Sequence, residues 1–196
     1  MKYRIIFLAL FLIFLFSKAS YSHPHGWIEA KADFIVKDNK ITAVQAKWSF
    51  DEFTSMFLVE TTGADWDKKL TGVELIKIEK QILEIIKILN YFSNIYIDGK
   101  RYPVKKIEFA HADRVNDVIN FNFVIPLPVP VNPARQGFAV SFYDPGYYYD
   151  VYVAEENPVK FIGENSGIFS YKVQEDLKNT YYYNMVNPQL IKVFSK

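Results

Sequence analysis

The segment His23-Pro24-His25-Gly26-Trp27 sets two imidazoles one residue apart. Alternate side chains of an extended strand share a face, so His23 and His25 can approach one ion together, and imidazole nitrogen suits zinc, nickel and copper. A histidine at the third position of a free amino terminus usually chelates copper or nickel through deprotonated backbone amides. Pro24 has no amide hydrogen, and that mode is blocked. What remains is an imidazole-plus-amine chelate, should His23 be the first residue after processing, or a site completed by other side chains. The plainer alternative is a pair of polar residues in a frayed terminus. Further along, Phe142-Tyr143-Asp144-Pro145-Gly146-Tyr147-Tyr148-Tyr149-Asp150 puts Asp144 at a strand end before a Pro-Gly turn. Asp144 reads either as an Asx-turn residue or as a carboxylate that binds a metal or orients a metal-bound imidazole. His111, in Phe109-Ala110-His111-Ala112-Asp113, is the third histidine of the chain. It is either a third imidazole ligand or a surface residue at a strand end.

A second constellation runs from Gly63 to Glu74. Counted as a calcium loop, Asp65, Asp67, Leu70 and Glu74 take its third, fifth, eighth and twelfth positions, between two helical patterns. Its first position is Gly63 rather than an acid, and its sixth is Lys68 rather than glycine. Losing a carboxylate and gaining a cation removes most calcium affinity, so calcium is not expected here.

Composition narrows the classes. The chain has 196 residues, half of them hydrophobic and 23% charged, which suits one domain with a packed core. Its formal charge of +1 lacks the basic excess of a nucleic-acid footprint. There is no cysteine, which excludes disulfides, a thiolate nucleophile, Cys-ligated zinc and iron–sulfur clusters. No nucleophile with a paired base and no phosphate-cradling glycine loop stands out, so a non-enzymatic role is expected.

The elements that must position these residues begin after a leader. Lys2 and Arg4 precede the apolar run Ile5 to Phe16, followed by small and polar residues. This is the pattern of a secretory signal over residues 1–22, too short for a membrane anchor. Cleavage fits after Ala19 or after Ser22. Removing residues 1–22 deletes three cations and no acid, taking the formal charge from +1 to −2. A cysteine-free exported protein fits a bacterial periplasm. Residues 23–196 then form one domain. Trp27–Val36 and Ile41–Phe50 read as a hairpin across Lys37-Asp38-Asn39-Lys40. From Asp51 to Glu60 the pattern suits a short helix with Asp51 as its cap or first-turn acid. Leu75, Ile78, Ile82, Ile85, Ile86 and Leu89 mark a second, amphipathic helix. Strands resume at Ser93–Ile97, turn at Asp98-Gly99 into Arg101–Phe109, and continue at Val118–Val124, Phe138–Tyr143 and Tyr149–Ala154. Pro126, Pro128, Pro130 and Pro133 mark a loop or sheet edge. The expected fold is α+β and β-rich, an antiparallel sandwich with a degenerate EF-hand-like helix–loop–helix insertion at about 51–92.

Four stretches together resemble one bacterial family. They are His23-Pro24-His25-Gly26-Trp27-Ile28; Trp48-Ser49-Phe50-Asp51-Glu52-Phe53; Asn90-Tyr91-Phe92 with Ile97-Asp98-Gly99-Lys100; and Phe142-Tyr143-Asp144-Pro145-Gly146-Tyr147-Tyr148. Over roughly His23 to Val159 the chain is similar to the periplasmic domain-of-unknown-function family numbered ten-oh-seven. The resemblance implies a periplasmic component of a zinc or nickel uptake system, paired with an inner-membrane permease of nickel/cobalt-exporter type. Many members carry a fuller acidic loop where this chain has Gly63 to Glu74. The resemblance carries over His23, His25, Asp51, Glu52 and Asp144 as motif positions; with His111, read from the sequence alone, they make the candidate metal-ligand set. The expectation is an accessory protein that supplies zinc, or nickel, to the permease. The alternatives are a β-sandwich interaction module of a membrane complex with incidental histidines, and a copper protein with an N-terminal histidine chelate. Small residues at Ser20 and Ser22 predict a mature terminus at His23. Intact mass of the exported protein checks this, and a product beginning at Ser20 would remove the α-amine from any site.

Overall fold

The structure is a computed structural model that describes residues 24–196; the leader expected over residues 1–22, and His23 with it, lie outside the described residues. Two sheets form the body. The first runs in the order β5 (Glu108–Val115), β6 (Val118–Val131), β2 (Lys40–Phe50), β1 (Gly26–Lys37), β8 (Tyr149–Val153), with β9 (Val159–Gly163) also on β1. The second runs β10 (Phe169–Glu175), β11 (Gln189–Ser195), β7 (Phe138–Phe142), β3 (Ser93–Ile97), β4 (Lys100–Pro103). Between β2 and β3 come helices α1 (Glu52–Thr61) and α2 (Gly72–Lys87) and a 3-10 turn at Asn90–Phe92. This is the expected β-rich α+β sandwich with a helical insertion.

Period-two alternation builds the interior. Ile28, Ala30, Ala32 and Phe34 of β1 face inward beside Val44, Ala46, Trp48 and Phe50 of β2 and Ile119, Phe121, Phe123 and Ile125 of β6. Register fits size to space. Ala30 lies opposite Trp48, which in turn lies opposite Phe121. The small residue leaves room for the indole, which packs among Phe92, Phe121, Phe123 and Phe142 at centroid distances of 4.8–6.4 Å.

Three details depart from the sequence reading. β1 pairs in parallel with β8 along Gly26–Ala30 and with β9 along Ala32–Val36, so the first sheet is mixed. The expected strand Arg101–Phe109 is two strands in different sheets, because the chain crosses over after Pro103 and the Val104 N–H goes to the Asn90 side chain at 2.8 Å. Three strands, β9 to β11, follow Ala154 where none was expected. Beyond Val124, β6 has no partner on its β5 side, and there Pro126, Pro128 and Pro130 sit at a sheet edge as their missing donors require.

The helical insertion uses its loop acids internally. Thr71 caps α2, and the Glu74 carboxylate takes the Thr71 N–H at 2.7 Å and its hydroxyl at 2.8 Å, a capping box. These bonds hold the Glu74 carboxyl below its ordinary value. Asp65 pairs with Lys68 at 2.9 Å and accepts the Asp67 N–H. From β5, Arg114 lies over the Trp66 ring, 3.9 Å from its centroid, and donates to the carbonyls of Trp66 (2.7 Å) and Lys68 (3.3 Å). A guanidinium thus binds loop carbonyls. Arg114→Ala is expected to cost about 2 kcal/mol through its lost charge-assisted bonds, read as a lower denaturation midpoint. Millimolar calcium should leave Tm of the wild type unchanged, since stabilisation by a ligand needs binding to the folded chain. A concentration-dependent rise in Tm would overturn that.

Candidate functional site

Most of the quoted stretches meet at one corner of the sandwich, where β1 begins; Ile97-Asp98-Gly99-Lys100 lies at the far end of β3, where Asp98 bonds Gly137. Asp51 ends β2 and caps α1. Its Oδ1 accepts the Thr54 N–H at 2.9 Å, and its Oδ2 accepts the Thr54 hydroxyl at 2.6 Å and the Trp27 N–H at 2.7 Å. The Asp51 N–H returns to the Trp27 carbonyl at 3.0 Å. Asp51 therefore caps a helix and clamps the start of β1 in the same act. Gly26 lies in the closest part of this contact. A Cβ there would overlap Thr54 Oγ1 and come within 3.1 Å of Tyr149 Cδ1 and 3.2 Å of Asp51 Oδ2. Only glycine fits.

Asp144 is buried at the turn between β7 and β8. Its Oδ1 accepts the Gly146 N–H at 2.9 Å, and its Oδ2 accepts the N–H groups of Tyr148 (2.9 Å) and Tyr149 (3.1 Å). The Asx-turn reading of Asp144 describes this geometry; both oxygens serve the backbone. Asn90, Tyr91 and Phe92 form a run of left-handed residues, φ 57°, 53° and 47°. Asn90 braces the run with bonds to the Ser93 carbonyl and the Val104 N–H, and the Phe92 carbonyl receives the Tyr143 N–H at 2.9 Å.

His25 is exposed at this corner. Its N–H donates to the Tyr148 carbonyl at 2.7 Å and its ring stacks on Tyr148, with centroids 4.7 Å apart. Glu52 is exposed on the first turn of α1. His111 does not join them. It is exposed on β5, three strand positions from β1, level with Asn122, Lys47 and Lys31. That is about 14 Å across the sheet and about 20 Å along it from His25. Among the described residues, no group of three or more histidines and acids sits close enough to hold a metal.

Asp150, which the sequence reading passed over, lies at the same corner. β8 points Tyr149, Val151 and Val153 inward, so Asp150 and Tyr152 face out. Asp150 lies opposite Trp27 in the parallel ladder. Partial burial raises its carboxyl above the ordinary value, and among the described residues no hydrogen bond or ion pair offsets this. Burial also pushes the Tyr149 hydroxyl up to about 12, with Tyr148, Asp144 and Asp51 adding to it. Burial raises Tyr152 too, helped by Glu29 and Asp150. The corner is electronegative.

A family profile described as "Protein of unknown function (DUF1007)" matches residues 8–185. The chain belongs to the DUF1007 family. It is 26% identical over 164 residues to an "Uncharacterized protein" of Haemophilus influenzae, covering 82% of this chain and 75% of that one. No solved structure matches. Within this DUF1007 chain, the alternation of Tyr149 to Val153 is the signal that marks Asp150 as outward-facing.

Asp144 and Asp150 should answer differently to neutralisation. A carboxyl raised in the folded state costs no stability below its unfolded value, near 4. The penalty grows as pH rises through the folded value. Asp150→Asn should therefore raise Tm at neutral pH, with the gain fading on acidification. Asp144→Asn, which leaves buried amide donors without their acceptor, should lower Tm at neutral pH. Thermal melts of both variants from pH 4 to 8 check the contrast.

Proposed function

We propose that this DUF1007 protein is an exported metal-binding accessory that supplies zinc, or nickel, to an inner-membrane permease of nickel/cobalt-exporter type. The observation that carries the reading is His25, an exposed imidazole at an electronegative corner, held through its own N–H and ring by Tyr148. A fixed backbone and a stacked ring lower the entropy lost when an ion is captured. Nitrogen and oxygen donors without thiolate suit zinc in a tetrahedral site. The export step rests on the leader pattern of residues 1–22, and His23 would add its imidazole and amine from the segment just before Pro24. Nickel would accept the same donors, and a nitrogen-rich chelate binds copper more tightly than either. Asp51 and Asp144 then shape the corner. Their oxygens already hold backbone and helix.

The interaction-module reading draws on α1, where Phe53 and Phe57 are exposed one turn apart, 65% and 51% accessible. Calorimetric titration of zinc into the chain beginning at His23, free of affinity tags, separates the two. One-to-one binding is expected, lost in the His23→Ala/His25→Ala variant with its fold intact by circular dichroism. Affinity should fall on acidification, because an imidazole must shed its proton to bind a metal. Unaltered binding in the double variant would sink the site and leave the module ahead.

A further inference from the structure

Metal binding at this corner calls for a carboxylate, and the structure sorts the candidates by what each oxygen already does. Asp51 holds Thr54 and Trp27. Asp144 holds three backbone N–H groups. Glu29 faces the same side as Trp27 but pairs with Lys31 at 3.7 Å. Glu52 is exposed on the first turn of α1 and belongs to neither β1 nor β8. Asp150 alone in this set is partly buried with no hydrogen bond or ion pair among the described residues.

Its position is set by the ladder. The His25 N–H bonds the Tyr148 carbonyl, Gly26 lies opposite Tyr149, and Trp27 lies opposite Asp150. His25 precedes Trp27 by two residues, as Tyr148 precedes Asp150, so all four project from one face. His25 and Asp150 are diagonal neighbours on it. One strand spacing and a two-residue rise put their Cα atoms about 8 Å apart. An imidazole and a carboxylate that reach toward each other across such a gap can share an ion at zinc–ligand distances of about 2.0–2.2 Å. The stack of His25 on Tyr148 keeps the ring on the β8 side of β1. Around Asp150 stand Tyr147, Tyr152 and Tyr181, each with its hydroxyl raised in part by the Asp150 charge. The partial burial of Asp150 lowers the dielectric around it, which strengthens attraction for a cation.

We propose that Asp150 and His25 bind one divalent transition-metal ion together, with Asp150 its direct carboxylate ligand and Asp144 the residue that holds the turn beneath it. This rests on the metal-binding reading above, and the experiment keeps the two separable. Zinc is titrated calorimetrically into wild type, His25→Ala, Asp150→Asn and Asp150→Glu, and cobalt(II) absorption spectra are recorded as a probe of ligand identity. The expected result is a loss of a hundredfold or more in zinc affinity for Asp150→Asn, without a fall in apoprotein Tm. Asp150→Glu, which keeps the carboxylate, should recover most of that loss. The cobalt visible band should shift in Asp150→Asn. Wild-type affinity in Asp150→Asn, with binding lost in His25→Ala, would overturn the Asp150 assignment and leave the metal reading standing. Absence of zinc binding by wild type would overturn both.

Discussion

One buried carboxylate decides how the chain passes from the second sheet into the first. Asp144 draws three donors, the N–H groups of Gly146, Tyr148 and Tyr149, around its two side-chain oxygens. Burying a carboxylate is costly unless its lone pairs are satisfied, and bonds to a charged acceptor contribute about 1.5–3 kcal/mol each. Those bonds force the turn, with Tyr147 left-handed at φ 53° inside it. Everything at the corner follows from where that turn delivers β8. The Tyr148 carbonyl meets the His25 N–H, the Tyr148 ring meets the imidazole, and Tyr149 packs under Gly26.

Asp51 secures the same corner from the opposite side of β1. It ties Trp27 to the first turn of α1, so β1 is gripped by a helix cap on one flank and by the Asp144 turn on the other. The close approach at Gly26 is the geometric price of that double grip. Two carboxylates thus stand behind a histidine, and among the described residues no cation is bonded to either. Burial first, and then Tyr148, Asp144 and Asp51, push the Tyr149 hydroxyl up to about 12. A cation arriving at the outer face lowers that electrostatic cost.

Local pattern made much of this legible. The 3.6-residue spacing of Ile78, Ile82 and Ile86 gave α2, and Asp51 before a change of period gave the cap of α1. Glu74, counted as the twelfth position of a loop where calcium is not expected, is the third helical residue after Thr71, and the Thr-x-x-Glu spacing of a capping box was open to view. Pro103 carried the signal for the break between β4 and β5, but the crossing to the other sheet depends on Asn90, far off in sequence. The C-terminal strands were hidden for another reason. β11 has a strand on either side, yet adjacent Leu190 and Ile191 and an exposed Phe194 blur its alternation. His111 and His25 could not be separated by sequence, because their distance is set by strand order.

Asp144 and Asp150, six residues apart, make opposite uses of the same functional group. Asp144 gains from its surroundings, since each oxygen meets an amide donor; Asp150 is partly buried, and among the described residues it has no hydrogen bond or ion pair. A carboxylate kept in the second condition is a standing cost to folding, and such costs gather where a protein binds or reacts. The proposed accessory role also limits how many ligands the chain should supply. Four strong donors in a closed site would hold zinc as structure, whereas a carboxylate and one or two imidazoles at an open sheet edge leave positions for a recipient's ligands. On the proposed metal-binding role, a fixed corner offering one carboxylate and one or two imidazoles would suit transfer better than storage.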